Sequence, residues 1–333
     1  MRSLLPYAQL VRLPNTFTAL ADIFLGALAT GFLANRGLWI WRRFFPSDSP
    51  STVTIWQELA SWGTLLCLLT ASMLLYWSGM IWNDYFDVNQ DRRERPGRPL
   101  ACGLVPLRTA MWLALGCQTI ALVLALGADV LSAQALEAPI RMRSLPIAVL
   151  LVFAIFLYDG VFKASFAGPI FMGACRFLNI LLGLSILGAW PPAWGWLIAL
   201  VIGVYIAGVT WFARTEAQHS NQTTLIAAAI VILLSLLLAL TVPAVALEAR
   251  EEFYPSRFFP YLLALFGAYL GIAIFRAIRR PEPMCVQPAI KRAVLGLVVL
   301  DALLASAFVG SFGLLLVILL IPGIILGRWL YST

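Results

Sequence analysis

The sequence predicts an all-α fold, a polytopic membrane helical bundle of nine to ten transmembrane helices in a single domain covering residues 1–333. Three observations lead to this prediction. Hydrophobic residues make up 61% of the chain, charged residues make up only 12%, and the mean hydropathy is +0.89. Ordinary globular proteins are about half apolar and about a quarter charged. This composition therefore excludes a water-soluble protein, and it also excludes disordered, collagen-like and disulfide-scaffold proteins.

Apolar runs long enough to cross a membrane recur along the whole chain. A transmembrane helix needs about 20 apolar residues, and ten runs qualify, of which the last two could be one long helix with a break at residues 310–313. Prolines fall at or between the ends of the runs, where helices start or stop. The runs cover residues 14–34, 58–83, 106–127, 144–160, 168–189, 194–213, 224–246, 259–278, 293–310 and 312–328.

The basic residues between the runs indicate how the helices are oriented. With the N-terminus in the cytoplasm, fifteen Lys and Arg residues lie inside, seven lie outside, and Arg176 lies within a run. Because cytoplasmic loops are enriched in Lys and Arg, we expect a multi-pass protein of the cell (inner) membrane with a cytoplasmic N-terminus. This bias accounts for the net charge of +7, so no nucleic-acid partner is expected.

Cysteine and tryptophan add little chemical specificity. The five cysteines have no metal-binding or redox spacing, and Cys67, Cys117 and Cys175, which lie in apolar runs, are expected to be small packing residues. Four tryptophans near the ends of the runs are expected at the membrane–water interfaces. They are Trp39, Trp41, Trp190 and Trp194.

The segment that follows the second run carries the polar cluster with the clearest chemical meaning. Residues 82–103 read WNDYFDVNQDRRERPGRPLACG. If the helix continues through the segment, each residue turns by about 100°. With Asn83 at zero, Asp87 falls at about 40°, Asp91 at about 80° and Asp84 at about 100°. One amide and three carboxylates therefore share one helix face.

These four oxygen donors predict a divalent cation site. Carboxylates this close repel one another, and ionisable groups at a membrane boundary are costly, whereas Mg²⁺ is usually held by one or two carboxylates plus substrate phosphate. Guanidinium groups match phosphate oxygens bidentately, which favours a lipid-tailed phosphate or diphosphate as ligand. The alternative is a solvated loop whose Asp and Arg side chains pair with each other. The arginines that follow the cluster are Arg92, Arg93, Arg95 and Arg98.

The pattern N-D-x-x-D-x-x-x-D-x-x-x-R-P-x-R-P-L-x-x-G in this segment resembles the first aspartate-rich motif of the UbiA superfamily of intramembrane prenyltransferases. Its Arg-Pro spacing is similar to that of the members that make archaeal ether lipids and chlorophylls. The resemblance implies Mg²⁺ as cofactor, catalytic roles for Asp87 and Asp91, and substrate binding by Arg95 and Arg98. The implied metal ligands are Asn83, Asp84, Asp87 and Asp91.

Three further places match the family. Arg12-Leu-Pro-Asn15 opens the first run, as an Arg and an Asn commonly do in this superfamily. Tyr158 and Lys163 resemble its Tyr-x-x-x-Lys element, with one extra residue between them. The fifth run contains MGACRFLN, residues 172–179, with Arg176 in apolar surroundings. The resemblance implies catalytic roles for Lys163 and Arg176, and the implied substrate-binding residues are Asn15, Tyr158 and Asn179.

Arg176 allows two interpretations. An intramembrane arginine is a functional-site hypothesis because it needs a cavity, a partner or an anion. The alternative is a structural ion pair with Asp22 or Asp301, which also lie inside runs. These carboxyl groups are expected to face the bundle interior or to be protonated, and Asp22 is also a candidate for recognising the acceptor.

The chain departs from the family pattern between the sixth and seventh runs. The family carries a second aspartate-rich motif there, and both motifs together hold two Mg²⁺ ions. Residues 214–225 read RTEAQHSNQTTL and contain no aspartate. Glu216 is the one carboxylate left as a metal ligand, and His219 is either a substrate contact or a solvated loop residue. This loop resembles that of a divergent bacterial branch labelled EboC-like.

The resemblance implies Mg²⁺-dependent transfer of an isoprenoid chain from a prenyl diphosphate to a small or lipid acceptor in the membrane. Two other functions are open: a carrier for an isoprenoid-type metabolite, and a catalytically silent scaffold for other membrane enzymes. The intact acidic cluster argues against a carrier, because transport requires no activation of a leaving group.

Overall fold

The computed structural model describes residues 4–32, 54–214, 219–249 and 255–331. These parts of the chain form helices and contain no β-strand, which confirms the predicted all-α class. The α-helices are α1 (Leu5–Leu10), α2 (Thr16–Ala29), α3 (Ile55–Phe86), α4 (Val88–Glu94), α5 (Leu107–Leu136), α6 (Ser144–Phe156), α7 (Gly168–Leu184), α8 (Ala193–Ala213), α9 (Gln222–Ala239), α10 (Val242–Ala249), α11 (Phe259–Arg279), α12 (Pro283–Val309) and α13 (Leu320–Tyr331). The 3₁₀ segments are Leu13–Asn15, Ser185–Leu187 and Gly310–Leu319, and a π-helical turn covers Leu157–Phe162.

Among the described residues, eight helical segments are long and apolar enough to cross a membrane, and a shorter apolar helix covers Leu13–Ala29. The last of the eight, Pro283–Leu330, has 48 residues. At 1.5 Å per residue it would be about 70 Å long, more than twice the thickness of the hydrocarbon core. The chain instead reverses at Gly310, whose φ is 61°. A Cβ on Gly313 would lie 2.3 Å from the backbone nitrogen of Ser306, so this segment makes two antiparallel passes.

The helix ends differ from the predicted runs where polar residues continue a helix beyond its apolar part. Helix α5 extends to Leu136 rather than 127, and α12 begins at Pro283 rather than 293. The expected interfacial position of Trp194 is wrong, because it is buried and its ring centroid lies 4.9 Å from that of Phe308. Trp190 is exposed, and its expected interfacial position stays a prediction. Residues 39 and 41 lie outside the described parts.

Helix α2 lies in the middle of the bundle and contacts α3, α7 and α12. Most of its residues are buried, and small residues allow α7 to approach it closely. A Cβ added to Gly26 would lie 2.5 Å from the carbonyl carbon of Gly183 on α7. Close approach of backbones at small residues is a common way to pack membrane helices, because lipid gives little hydrophobic drive for their association. The two helices that meet here also carry Asp22 and Arg176.

A buried carboxylate caps helix α6. Asp129 on α5 accepts hydrogen bonds from the backbone N–H groups of Arg143 at 3.1 Å, Ser144 at 2.8 Å and Leu145 at 3.1 Å. These are orphan donors of the first turn, and a negative charge is also favourable at a helix N-terminus. The side chain of one helix therefore fixes the start of the next.

Replacing Asp129 with alanine should lower the free energy of unfolding by about 1–2 kcal/mol, the usual cost of losing an N-cap. Thermal unfolding of the purified protein in detergent measures the change. Asp129→Asn keeps one acceptor oxygen and should lose less. Equal losses in the two variants would contradict a capping role.

Candidate active site

The polar cluster gathers at one end of the bundle, where the chain between α1 and α2 meets the end of α3. Arg12 has a φ of 48°, a left-handed conformation that non-glycine residues seldom adopt and that is enriched at functional sites. Its Nη2 atom donates to Oδ1 of Asn83 at 3.3 Å and to Oδ1 of Asp84 at 3.2 Å. The strained turn thus brings an N-terminal guanidinium onto the acidic segment.

Arg98 joins two of the three predicted carboxylates. Its Nη1 atom lies 3.2 Å from Oδ1 of Asp84 and 2.6 Å from Oδ2 of Asp91. Both acids are buried, so the ion pairs are shielded from water. The segment that follows α4 folds back over the end of α3, which is why residues seven and fourteen positions apart in sequence can meet.

The predicted continuous helix is interrupted at Asp87. Helix α3 ends at Phe86 and α4 begins at Val88, although Asp87 donates its backbone N–H to Asn83 and accepts one from Asp91. The helical hydrogen-bond pattern therefore continues across the junction. Asn83, Asp84 and Asp91 form one connected network, whereas Asp87 is partly exposed and pairs with Lys163.

A π-helical turn brings the end of α6 to the same site. In a π-helix the hydrogen-bonded repeat is i to i+5, so Tyr158 and Lys163, five residues apart, lie along the same side of the turn. This wider turn accommodates the extra residue between them. Asp159 within the turn is buried and accepts a hydrogen bond at 3.2 Å from Nδ2 of Asn83.

A cavity of about 260 Å³ runs from this cluster into the bundle. Arg12, Asn15, Tyr158 and Asp159 line its outer part, with Arg176 and Asn179 among the lining residues deeper in. Aliphatic side chains cover most of the remaining wall, including Leu75, Leu151, Ile155, Ile206 and Val209. The site is thus a charged mouth that leads into an apolar chamber.

Arg176 takes one of the two partners considered from sequence. Its Nη1 atom lies 3.1 Å from Oδ2 of Asp22, and its Nη2 atom donates to Oγ1 of Thr18 at 2.6 Å. Asn179 donates to the same Asp22 oxygen at 2.7 Å. The guanidinium still faces the cavity, so the ion pair and a role in the site are compatible.

Four further predicted residues are exposed, and one lies outside the described residues. Arg92, Arg93 and Arg95 are exposed on the helix and turn beyond it. His219 is exposed and is not among the residues that line the cavity. Glu216, the candidate for a second metal site, lies outside the described residues.

The donor set matches the chemistry of Mg²⁺. Asn83, Asp84, Asp87, Asp91 and Asp159 supply the hard oxygen ligands that this ion prefers. Within the described parts, no three acidic, histidine or cysteine side chains converge on one point, and Arg12, Arg98 and Lys163 each pair with one or two of the carboxylates. Mg²⁺ needs only one or two carboxylates when substrate phosphate completes its shell. The residues present therefore fit the ion together with a phosphate ligand.

A family comparison agrees with this arrangement. The model of the UbiA prenyltransferase family matches residues 49–284, more than half of the chain. The chain belongs to the UbiA prenyltransferase family. The match includes the acidic segment, the π-helical turn and Arg176. No curated protein matches the sequence significantly.

Solved structures of UbiA homologues share the fold at low sequence identity. A digeranylgeranylglyceryl phosphate synthase is 19% identical, with a TM-score of 0.59 over 92% of this chain and 99% of that chain. A UbiA homologue from Archaeoglobus fulgidus bound to GPP and Mg²⁺ is 14% identical, with a TM-score of 0.59 over 94% and 99%. An apo homologue from Aeropyrum pernix K1 is 15% identical, with a TM-score of 0.52 over 94% and 98%.

Asp159 belongs to this UbiA site but is not among the residues predicted from sequence. An aspartate near the end of an apolar run was a usable signal, since intramembrane carboxylates are rare and usually functional. Thr18 and Ser72 were also missed, and they had no such signal. Serine and threonine are common in membrane helices, and only the fold shows that these two contact Arg176 and Asn179.

Proposed function

We propose that this UbiA-family protein transfers an isoprenoid chain from a prenyl diphosphate to an acceptor inside the membrane, with Mg²⁺ as cofactor. The observation that carries the proposal is the placement of Asn83, Asp84 and Asp91 beside Arg12 and Arg98 at the mouth of an apolar cavity. Acidic groups, cations and an apolar chamber are what a metal-bound, lipid-tailed diphosphate requires. The UbiA homologue from Archaeoglobus fulgidus that binds GPP and Mg²⁺ supports the same reading.

Each part of the site has a role in this reaction. Asn83, Asp84, Asp87 and Asp91 would hold Mg²⁺, which when bound neutralises negative charge on the departing diphosphate. Arg12, Arg98 and Lys163 provide cations for the diphosphate oxygens. Each of these three cations pairs with one or two carboxylates of the acidic cluster, so all three lie beside the proposed metal ligands.

The apolar chamber protects the reacting isoprenoid chain from water. The allylic C–O bond breaks, its electron pair leaves with the diphosphate, and the carbon is attacked by the acceptor, which loses a proton. An allylic cation must be shielded from water until then, and the aliphatic wall provides that shield. We propose that Tyr158 and Asn15, which line the cavity, contact the substrate there.

We also propose that the whole chain, residues 1–333, forms one transmembrane domain in the cell membrane with the site at the cytoplasmic face. The excess of basic residues on that side supports this orientation. Helices α3 and α6 end at the site, and α7 begins near it, so the site lies at a single end of the bundle.

Incubation of the purified protein with labelled geranyl diphosphate tests the proposal. Diphosphate release should require Mg²⁺ and should stop when EDTA removes the metal. A carrier would bind geranyl diphosphate without cleaving diphosphate from it. A scaffold would neither bind geranyl diphosphate nor cleave it. Binding without release, tested with donors of several chain lengths and with membrane extract as the source of acceptor, would reject the proposal in favour of the carrier.

A further inference from the structure

The deep wall of the cavity contains a polar network built around Asp22. Its Oδ2 atom accepts hydrogen bonds from Arg176 at 3.1 Å and Asn179 at 2.7 Å. Asn179 in turn accepts one at 2.7 Å from Ser72 and donates to the carbonyl of Ala19 at 3.0 Å. Both Asp22 and Asn179 are buried. The network therefore has little access to water, and its charges must balance internally.

A second buried carboxyl group faces Asp22 from helix α12. Asp301 is completely buried, as is Asp22, and the two carboxyl groups interact electrostatically with each other. Neither oxygen of Asp301, nor Oδ1 of Asp22, accepts a hydrogen bond from any donor in the described residues. The nearby hydroxyl of Tyr205 donates instead to the carbonyl of Ala293 at 2.8 Å.

A proton on one of the two carboxyl groups removes the repulsion between them. An ionised carboxylate can only accept hydrogen bonds, whereas a protonated carboxyl group can donate one. Asp22 already receives two donors, one of them cationic, so it is the ionised member of the pair. Asp301 receives none and is the protonated member. Asp22 and Arg176 then carry one charge each, and the network is electrically neutral.

The second cation that lines the cavity is balanced as well. Arg12 at the mouth lies 3.2 Å from Asp84. Two of the five N–H donors of Arg176 have protein partners, Asp22 and Thr18, and its guanidinium lines the chamber. The deep wall therefore offers hydrogen-bond donors without excess positive charge.

We propose that this network forms a charge-neutral subsite that binds an uncharged, oxygen-bearing group of the acceptor, with Asp301 carrying the proton that keeps it neutral. A hydroxyl or carbonyl oxygen can accept from Arg176 while the Asp22 pair stays intact. A carboxylate would compete with Asp22 for the same guanidinium in a poorly solvated place, where unbalanced charge is costly. The assignment of the bound group to the acceptor rests on the proposed prenyl transfer.

Equilibrium dialysis with radiolabelled benzamide and benzoate tests the subsite directly. The two probes have the same shape and differ in charge. The wild-type protein should bind benzamide at least about tenfold more tightly than benzoate, a difference of about 1.4 kcal/mol. Arg176→Gln should lose this specific binding. The binding that remains in this variant measures how much of each probe partitions into the detergent. Tighter binding of benzoate, or no binding above the Arg176→Gln level, overturns the proposal.

Isosteric variants test the position of the proton. Asp301→Asn keeps a donor towards Asp22, so its thermal unfolding midpoint and its preference for benzamide should match those of the wild type. Asp22→Asn leaves Arg176 without a counter-charge, so its midpoint should fall by several degrees and the preference should reverse towards benzoate. An equal loss of stability in both variants would show that Asp301 is not the protonated residue.

Two controls keep the test decisive. If Asp22→Asn does not fold, the double variant Asp22→Asn/Arg176→Gln removes both charges and should fold again; a double variant that also fails to fold contradicts the charge balance. Neither dialysis nor unfolding requires prenyl transfer. If the protein prefers benzamide but releases no diphosphate, the subsite proposal stands and the proposed function fails. If it releases diphosphate but does not prefer benzamide, the proposed function stands and the subsite proposal fails.

Discussion

Asp87→Ala should reduce the rate of Mg²⁺-dependent diphosphate release by on the order of a thousandfold and leave the protein folded. Charge stabilisation by a bound metal contributes several kcal/mol, and each 1.36 kcal/mol is a factor of ten in rate. A loss of about 4 kcal/mol therefore corresponds to the expected decrease. Release of labelled diphosphate from geranyl diphosphate measures it.

The structure explains why this variant separates activity from folding. Asp87 pairs with Lys163, and about a fifth to a third of each side chain is exposed to solvent (22% and 29%). Ion pairs with such access to water stabilise a fold by at most about 1 kcal/mol. The thermal unfolding midpoint should therefore change little.

Glu94→Gln is the matched control. Glu94 belongs to the same segment, but it is exposed, and its side chain accepts a hydrogen bond from Gln90 at 3.0 Å. Its loss should leave the rate of diphosphate release unchanged. If Asp87→Ala is as active as Glu94→Gln, the acidic cluster does not hold the catalytic metal.

Gly26→Ala should lower the free energy of unfolding by about 2–3 kcal/mol, the upper part of the range of about 1–3 kcal/mol for overpacking a core. The new Cβ would lie 2.5 Å from the carbonyl carbon of Gly183 and 2.8 Å from the nitrogen of Leu184. Both are backbone atoms that cannot rotate away, so α2 and α7 must separate. The unfolding midpoint in detergent measures the loss.

The same variant should also weaken the deep subsite. Asp22 lies one helical turn before Gly26, and Arg176 lies two turns before Gly183 on the partner helix. Separation of the two helices therefore lengthens the Asp22–Arg176 ion pair, and binding of benzamide should fall together with stability.

Gly116→Ala provides the comparison. Gly116 is also in the interior of a long helix, α5, but an added Cβ has no neighbour within 4 Å. Alanine is favoured over glycine in a helix by up to about 1 kcal/mol, so this variant should be as stable as the wild type or slightly more stable. Similar losses in Gly26→Ala and Gly116→Ala would show that close helix contact is not the cause.

Local sequence patterns were sufficient to predict much of the candidate site. Asn83, Asp84 and Asp91 are close in sequence, and helical periodicity alone places them on one face. Arg98 could be named because it follows the same segment. Its role as a bridge between Asp84 and Asp91 could not be predicted, since that role depends on how the chain turns after α4.

Composition and periodicity determined the class of this protein, because a chain with so few charges must bury its surface in lipid and satisfy its backbone within helices. They also located the acidic segment, since its residues are neighbours along one helix. Only the tertiary structure decided which distant residues meet. The partner of Arg176, the contact between Asp22 and Asp301, and the place of Asp159 beside Asn83 all depend on helix packing, which is set by small residues such as Gly26 and Gly183 that carry no chemical signal in the sequence.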